Sequence, residues 1–120
     1  MNVDEQIAYQ KKETENILAS LLENGVDLDD IYAVEHHFSA EDYEQLYQFA
    51  TLLFKKGYQV YEIEEYVDDE DNTAGFCFDI EVDSSLQQEN IDSQCDTLIR
   101  LCVENEIYYD GWGVLIESDL

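Results

Sequence analysis

Basic side chains are scarce in this 120-residue sequence. Five lysines and arginines stand against 30 aspartates and glutamates, and the formal net charge is −25. Nucleic acids and anionic membranes are bound mainly through lysine and arginine, so this composition argues against direct contact with either. The same negative field attracts basic partners and speeds their arrival. Solubility alone is the other explanation for such acidity.

Long apolar runs, proline and paired cysteines are also missing. No stretch of about 18 apolar residues occurs, and the N-terminal MNVDEQ lacks the character of a signal peptide. The three cysteines, Cys77, Cys95 and Cys102, form no CxxC pair and are typical of reduced thiols in a core. We therefore expect a cytoplasmic protein.

Apolar residues make up 45% of the chain, and aromatic residues 12%, including nine tyrosines. A disordered acidic chain would lack these aromatic side chains, so the sequence predicts a folded protein. Its length fits a single acidic domain spanning residues 1–120, which is large enough to bury one core.

Hydrophobic periodicity and turn residues predict three helices and four strands. The helices cover Asp4–Asn24, a segment capped by Ser39 and ended by Gly57, and a segment that begins between Ser85 and Asn90 and ends near Asn105. Ser85 and Gln88 would form a capping box at the start of this third helix. The predicted strands are Ile31–Phe38, Tyr58–Val67, Phe76–Val82 and Ile107–Glu117. A leading helix followed by β-α-β-β-α-β predicts an α+β, ferredoxin-like two-layer sandwich with a four-stranded antiparallel sheet. These rules do not fix the position of the leading helix.

Side-chain spacing also predicts which faces are buried. Glutamates in Tyr58–Val67 favour an edge strand. Phe76, Phe78, Ile80 and Val82 are expected to face the helices, with Cys77, Asp79 and Glu81 outward. The expected apolar stripe of the first helix is Val3, Ile7, Thr14, Leu18, Leu21 and Leu22, and that of the second is Tyr43, Leu46, Tyr47, Ala50, Leu53 and Phe54.

The triplet Glu35-His36-His37 is the segment most suggestive of chemistry. Neighbouring residues on a strand point to opposite faces, so His36 and His37 are poorly placed to chelate one metal ion. Glu35 and His37 share a face, and a carboxylate from elsewhere could complete a weak site. Structural histidines are commoner, so the sequence predicts no metal and no cofactor.

No nucleophile motif or phosphate-binding glycine loop is present, and we predict no catalytic residue. An enzyme that uses Glu35, His37 and nearby acids is the remote alternative. The acidic segment Asp68, Asp69, Glu70 and Asp71 lacks the register of a calcium loop. It is predicted to be a solvated hairpin loop and a contact for a basic partner.

The single tryptophan lies in an aromatic, glycine-containing segment near the C-terminus. Tyr109 and Asp110 precede Gly111, Trp112 and Gly113. Tryptophan and tyrosine dominate protein interfaces, so Tyr109, Asp110 and Trp112 are predicted to contact a partner. The alternative is a packed strand that contains a bulge.

Two segments, VEHHFSAED at residues 34–42 and YDGWG at residues 109–113, resemble the regulator of ribonuclease activity B family, inhibitors of bacterial ribonuclease E. The similarity covers nearly the whole chain. Glu35, His36, His37, Gly111 and Gly113 are the family-motif residues, and a structural role for them is left open. Relatives often continue into a longer acidic tail, whereas this sequence ends at Leu120, so any contribution of a tail is expected to be missing.

The resemblance implies a ferredoxin-like, cytoplasmic, non-catalytic protein. It also implies binding to ribonuclease E, or to the degradosome built on its C-terminal scaffold, with an effect on RNA turnover. Together with the charge, it leads to the hypothesis that an acidic domain competes with RNA for basic segments of the enzyme. The alternative is an acidic interaction module or adaptor that acts on another basic partner.

Overall fold

Over residues 2–68, 70 and 73–116, which the computed structural model describes, the chain forms three helices and five strands. In chain order these are α1 (Val3–Glu23), β1 (Ile31–Ala40), α2 (Tyr43–Lys55), β2 (Gln59–Val60), β3 (Glu64–Asp68), β4 (Thr73–Ser85), α3 (Gln88–Asn105) and β5 (Tyr108–Val114). All strand pairs are antiparallel, and the order across the sheet is β2-β4-β1-β5, with β3 also paired to β4. The predicted α+β class with an antiparallel sheet is confirmed.

The sheet has five strands where four were predicted, because the expected strand Tyr58–Val67 is interrupted. Val60 pairs with Ile80, whereas Glu64 pairs with Cys77. The three residues between Val60 and Glu64 therefore lie opposite only two residues of β4. The extra residue breaks the ladder in the manner of a bulge and leaves β2 and β3 as separate strands. Because β1 occupies the other side of β4, both lie at an edge of the sheet, as their glutamates predicted.

One face of the sheet carries the core. Val34, His36 and Phe38 of β1 are fully buried, and Phe78 and Ile80 of β4 lie beside them. The predicted alternation along β4 is confirmed. Phe38 stacks on Phe78 and meets Phe49 of α2 edge-on, with ring centroids 5.2 and 5.4 Å away.

Two predicted helix caps were wrong. Ser39 belongs to β1, which continues to Ala40 because β4 still offers paired residues there, and Asp42 caps α2 instead. The Asp42 Oδ1 accepts a hydrogen bond from the N–H of Glu44 at 2.8 Å. Similarly, Ser85 lies in β4, and α3 begins after Gln87, which makes no side-chain cap bond.

The predicted apolar stripes match the buried faces of the helices only in part, and the α2 stripe omitted Phe49. On α2, Phe49 is buried, whereas Tyr43, Tyr47 and Phe54 are 47%, 51% and 69% exposed. A helix that packs on one sheet face buries a narrow stripe, and these three rings lie outside it. On α1, Leu22 is 62% exposed for the same reason.

The first helix packs against α3 and the β5 tryptophan. Leu18 lies in a core cluster with Ile91 and Ile99 of α3 and with Trp112. This contact fixes the position of α1 that sequence rules left open.

Candidate functional site

The two family-motif segments are neighbours in the sheet. His36 pairs with Trp112, His37 with Gly111 and Glu35 with Gly113 across the β1–β5 ladder. Segments more than 70 residues apart in the sequence therefore form one structural unit. The motif lies at the centre of the sheet and at its β5 edge.

A bulge interrupts β5 inside this unit. Phe38 pairs with Tyr109 and His37 with Gly111, which leaves Asp110 as the extra residue. Gly111 has a φ of +105°, a conformation that favours glycine. The predicted bulge is confirmed, and Asp110 is exposed at this edge.

His36 is the centre of a buried hydrogen-bond chain. Its Nε2 lies 3.0 Å from Gln94 Oε1, and its Nδ1 lies 2.8 Å from the Tyr109 hydroxyl. Gln94 Oε1 only accepts, so Nε2 donates to it and Nδ1 accepts from Tyr109. The Gln94 amide in turn donates to Ser84 Oγ at 2.8 Å. This arrangement joins β1, β4, α3 and β5 through satisfied polar groups.

Burial determines which side chains of this hydrogen-bond network carry a proton near pH 7. Burial lowers the pKa of His36 to about 4, partly offset by the bond to Gln94. Burial also raises the pKa of the Tyr109 hydroxyl, and it raises the pKa of the nearby Cys95 thiol to about 11. His36 is therefore neutral near pH 7, and Tyr109 keeps the proton it donates.

Trp112 is buried, with 6% of its surface exposed. Its indole N–H donates to Thr14 Oγ1 of α1 at 2.9 Å. This geometry supports packing, the alternative that the sequence left open, and does not present Trp112 as a surface anchor. Tyr109 is partly buried and its hydroxyl is hydrogen-bonded to His36, whereas Asp110 is exposed to solvent.

The outer face of the sheet carries charged groups. The side chains of Glu35, His37 and Asp79 offer ligand atoms that lie within 4.8 Å of one another. His37 Nδ1 is 2.7 Å from Asp79 Oδ1, and both side chains are about two-fifths exposed, at 37% and 43%. A cross-strand register places them together, because His37 pairs with Asp79. The carboxylate that the sequence required for a weak cation site is thus present in Asp79.

Further carboxylates continue along this face. Glu81 pairs with Glu35, and Asp83 is exposed at the next outward position of β4. The adjoining hollow is also lined by Glu62 and Glu64. Asp69 and Asp71 of the predicted acidic contact loop lie outside the described residues, as does the side chain of Asp68, whereas Glu70 is exposed.

Comparison with known proteins places the chain in a family. Residues 11–114 match the profile of the family described as Regulator of ribonuclease activity B. The chain is 42% identical to the protein of that name from Photobacterium profundum, over 99% of this chain and 90% of the relative. It is 41% identical to the one from Escherichia coli, over 95% of this chain and 82% of the relative. The chain belongs to the regulator of ribonuclease activity B family.

In this member of the regulator of ribonuclease activity B family, the motif residues divide between two faces. His36 and Trp112 are buried on the helix side, whereas Glu35 and His37 lie half-buried on the outer side. A Cβ at Gly113 would lie 3.6 Å from His37 Nε2, an ordinary contact, so space alone does not require glycine there.

Sequence reasoning missed several partners of the motif residues. Gln94 and Ser84 belong to the hydrogen-bond network of His36, but neither lies in a recognisable sequence motif. Thr14 was part of the predicted apolar stripe, and a polar residue at such a position signals a buried hydrogen-bond partner. No helix within the described part of this family member is long and apolar enough to cross a membrane.

Proposed function

We propose that this chain is a non-catalytic regulator that binds ribonuclease E, or the degradosome scaffold, in the cytoplasm and lowers RNA turnover. The name of its relatives, regulator of ribonuclease activity B, supports a role in ribonuclease control. The acidic composition supports binding to a basic protein surface rather than to RNA.

The acidic outer face of the sheet is the observation that carries this proposal. Glu35, Asp79, Glu81 and Asp83 lie on one face of two paired strands. A ribonuclease must hold RNA phosphates with lysine and arginine. These side chains can pair equally well with the carboxylates on the outer face of the sheet. Binding there would keep RNA from the enzyme without any chemistry by the regulator.

Binding kinetics with purified ribonuclease E test the proposal. Association should slow steeply as salt rises, since charges beyond about 8 Å are screened at physiological ionic strength. The variant Glu81→Gln/Asp83→Asn should associate more slowly. Its matched control, Glu23→Gln/Glu104→Gln, removes the same charge from exposed helix positions and should be affected less. Absence of binding, or capture from extract that RNA digestion abolishes, would contradict the proposal.

For the architecture, we propose that β2 and β3 are one interrupted edge strand. The sheet then has four positions, in the order β2/β3-β4-β1-β5, which is the ferredoxin-like order expected from β-α-β-β-α-β. An experimentally determined structure in which β3 leaves the sheet edge would contradict this assignment.

A further inference from the structure

The solvent side of α2 presents aromatic rings beside a groove. Tyr43, Tyr47 and Phe54 are 47%, 51% and 69% exposed. The groove has a volume of about 610 Å³ and is closed on its other side by the edge segment that contains Val60 and Ile63. Contiguous exposed apolar surface of this kind marks interaction sites in soluble proteins.

The rings of the groove are partly held in place. Tyr43 stacks on Tyr47, with centroids 6.1 Å apart and planes inclined by 23°. Tyr43 also meets Phe76 edge-on at 5.3 Å. Rings that are already ordered lose less conformational entropy when a partner binds, which favours affinity.

The charge around the groove selects its occupant. Among the described residues that line it, Glu62 carries the only charge; beyond the lining, Glu64 and Glu65 follow on the edge strand, and Lys55 and Lys56 follow Phe54 at the end of α2. The faces of tyrosine and phenylalanine rings are electron-rich and attract cations. An uncharged apolar segment would cover the rings but would not compensate Glu62 or the net charge of −25.

Arginine fits this combination better than lysine. Its guanidinium is planar, stacks on aromatic faces, is weakly hydrated and pairs with a carboxylate through a fixed fork. A lysine ammonium is compact and strongly hydrated, so it gains less from a ring.

We propose that this groove binds arginine side chains of a basic segment of the partner ribonuclease, with stacking on Tyr47 and Phe54 and pairing to Glu62. The proposal rests on the proposed function and names the chemistry of the partner. It adds a contact surface formed by α2 and the edge segment, and this surface adjoins the outer sheet face because Glu62 lines both. Arginines that also hold RNA would be unavailable to RNA while they occupy the groove.

Two peptides of equal length and charge test the groove. One carries six arginines separated by glycine and the other six lysines, and fluorescence anisotropy at physiological salt gives both affinities. The wild-type chain should bind the arginine peptide about fivefold more tightly. Tyr47→Ala and Phe54→Ala should abolish that preference, whereas Tyr108→Ala, which removes a 59% exposed ring outside the groove, should retain it. Equal affinity of the wild type for both peptides, or a preference that survives both groove variants, would overturn the proposal.

Binding of the variants to ribonuclease E distinguishes a failure of the groove proposal from a failure of the proposed function. If Phe54→Ala binds the enzyme as the wild type does, while Glu81→Gln/Asp83→Asn binds it weakly, the groove proposal fails and the proposed function stands. If the wild type keeps its arginine preference but does not bind ribonuclease E, the proposed function fails. A wild-type dimer in sedimentation that Phe54→Ala dissociates would identify a second copy as the occupant and overturn the proposal. Urea unfolding of each variant shows whether it is folded.

Discussion

At the level of single residues, buried His36 makes stability depend on pH. Its pKa is about 4 in the folded chain, against an ordinary value of 6.5. Between these values the unfolded chain binds a proton that the folded chain excludes, so the free energy of unfolding falls as pH is lowered from 6.5 towards 4. The full shift corresponds to about 3 kcal/mol.

His36→Gln removes this titration and should flatten the difference in stability between pH 7 and pH 5, measured by urea unfolding. His37→Gln, which removes a histidine from the outer face, is the matched comparison. An unchanged slope in His36→Gln would show that other groups cause the acid sensitivity.

Trp112 should behave as a packing residue. Trp112→Ala is expected to lower the free energy of unfolding by about 3–5 kcal/mol, because a large buried ring is lost. Thr14→Val should cost about 1–3 kcal/mol by leaving the indole N–H unpaired. Denaturation curves give both values. A Trp112→Ala chain of normal stability that binds its partner weakly would restore the surface-anchor prediction.

Glu35, His37 and Asp79 are the side chains that could hold a metal ion. The group lies on the exposed outer face, away from the buried residues of the core. The fold therefore should not need an ion, and a chelator is expected to leave the thermal midpoint unchanged. A decrease of several degrees that zinc reverses would contradict this prediction and point to these three side chains.

At the level of secondary-structure elements, β4 provides a direct test of the sheet register. Phe78 is 2% exposed, whereas the side chain of Asp79 is 43% exposed and hydrogen-bonds His37. Phe78→Ala should lower stability by about 3–5 kcal/mol. Asp79→Ala should change it by less than about 1 kcal/mol, since exposed ion pairs contribute little. The reverse ranking in denaturation experiments would refute the register.

The same elements show how far a single sequence predicts structure. Alternation was sufficient for β1 and β4, because each has one buried face and a one-residue slip would bury acids. The break between β2 and β3 was not predictable, since it depends on the register of Val60 and Glu64 against β4. The exposed rings of α2 were misassigned because the predicted stripe was centred too far round the helix, so that it included these rings and omitted the buried Phe49.

At the level of the whole molecule, charge should control the rate of partner binding. Replacing Asp68, Asp69, Glu70 and Asp71 together by their amides should lower the association rate with ribonuclease E and reduce its dependence on salt. The dissociation rate should change less. Stopped-flow kinetics across a salt series measure both. Association that is independent of salt and of these four residues would contradict competition with RNA for basic segments and favour an adaptor that does not contact an RNA-binding surface.

The candidate site was predictable in part. Glu35 and His37 were correctly placed on one face, and the glycines correctly indicated a bulge in β5. The partners of His36 lie 58 and 73 positions away, on elements whose packing no local pattern specifies. The aromatic groove was missed because its rings were assigned to the core.

The hydrogen bond between Thr14 and Trp112 also makes the protein spectroscopically informative. Trp112 is the single tryptophan of the chain, and its contact lies 98 positions away on α1. Its fluorescence emission therefore reports on the seating of the first helix against the sheet. Detachment of α1 alone should shift the emission to longer wavelength while the far-ultraviolet signal of the sheet persists. A single optical signal can thus follow this long-range contact as it opens and closes.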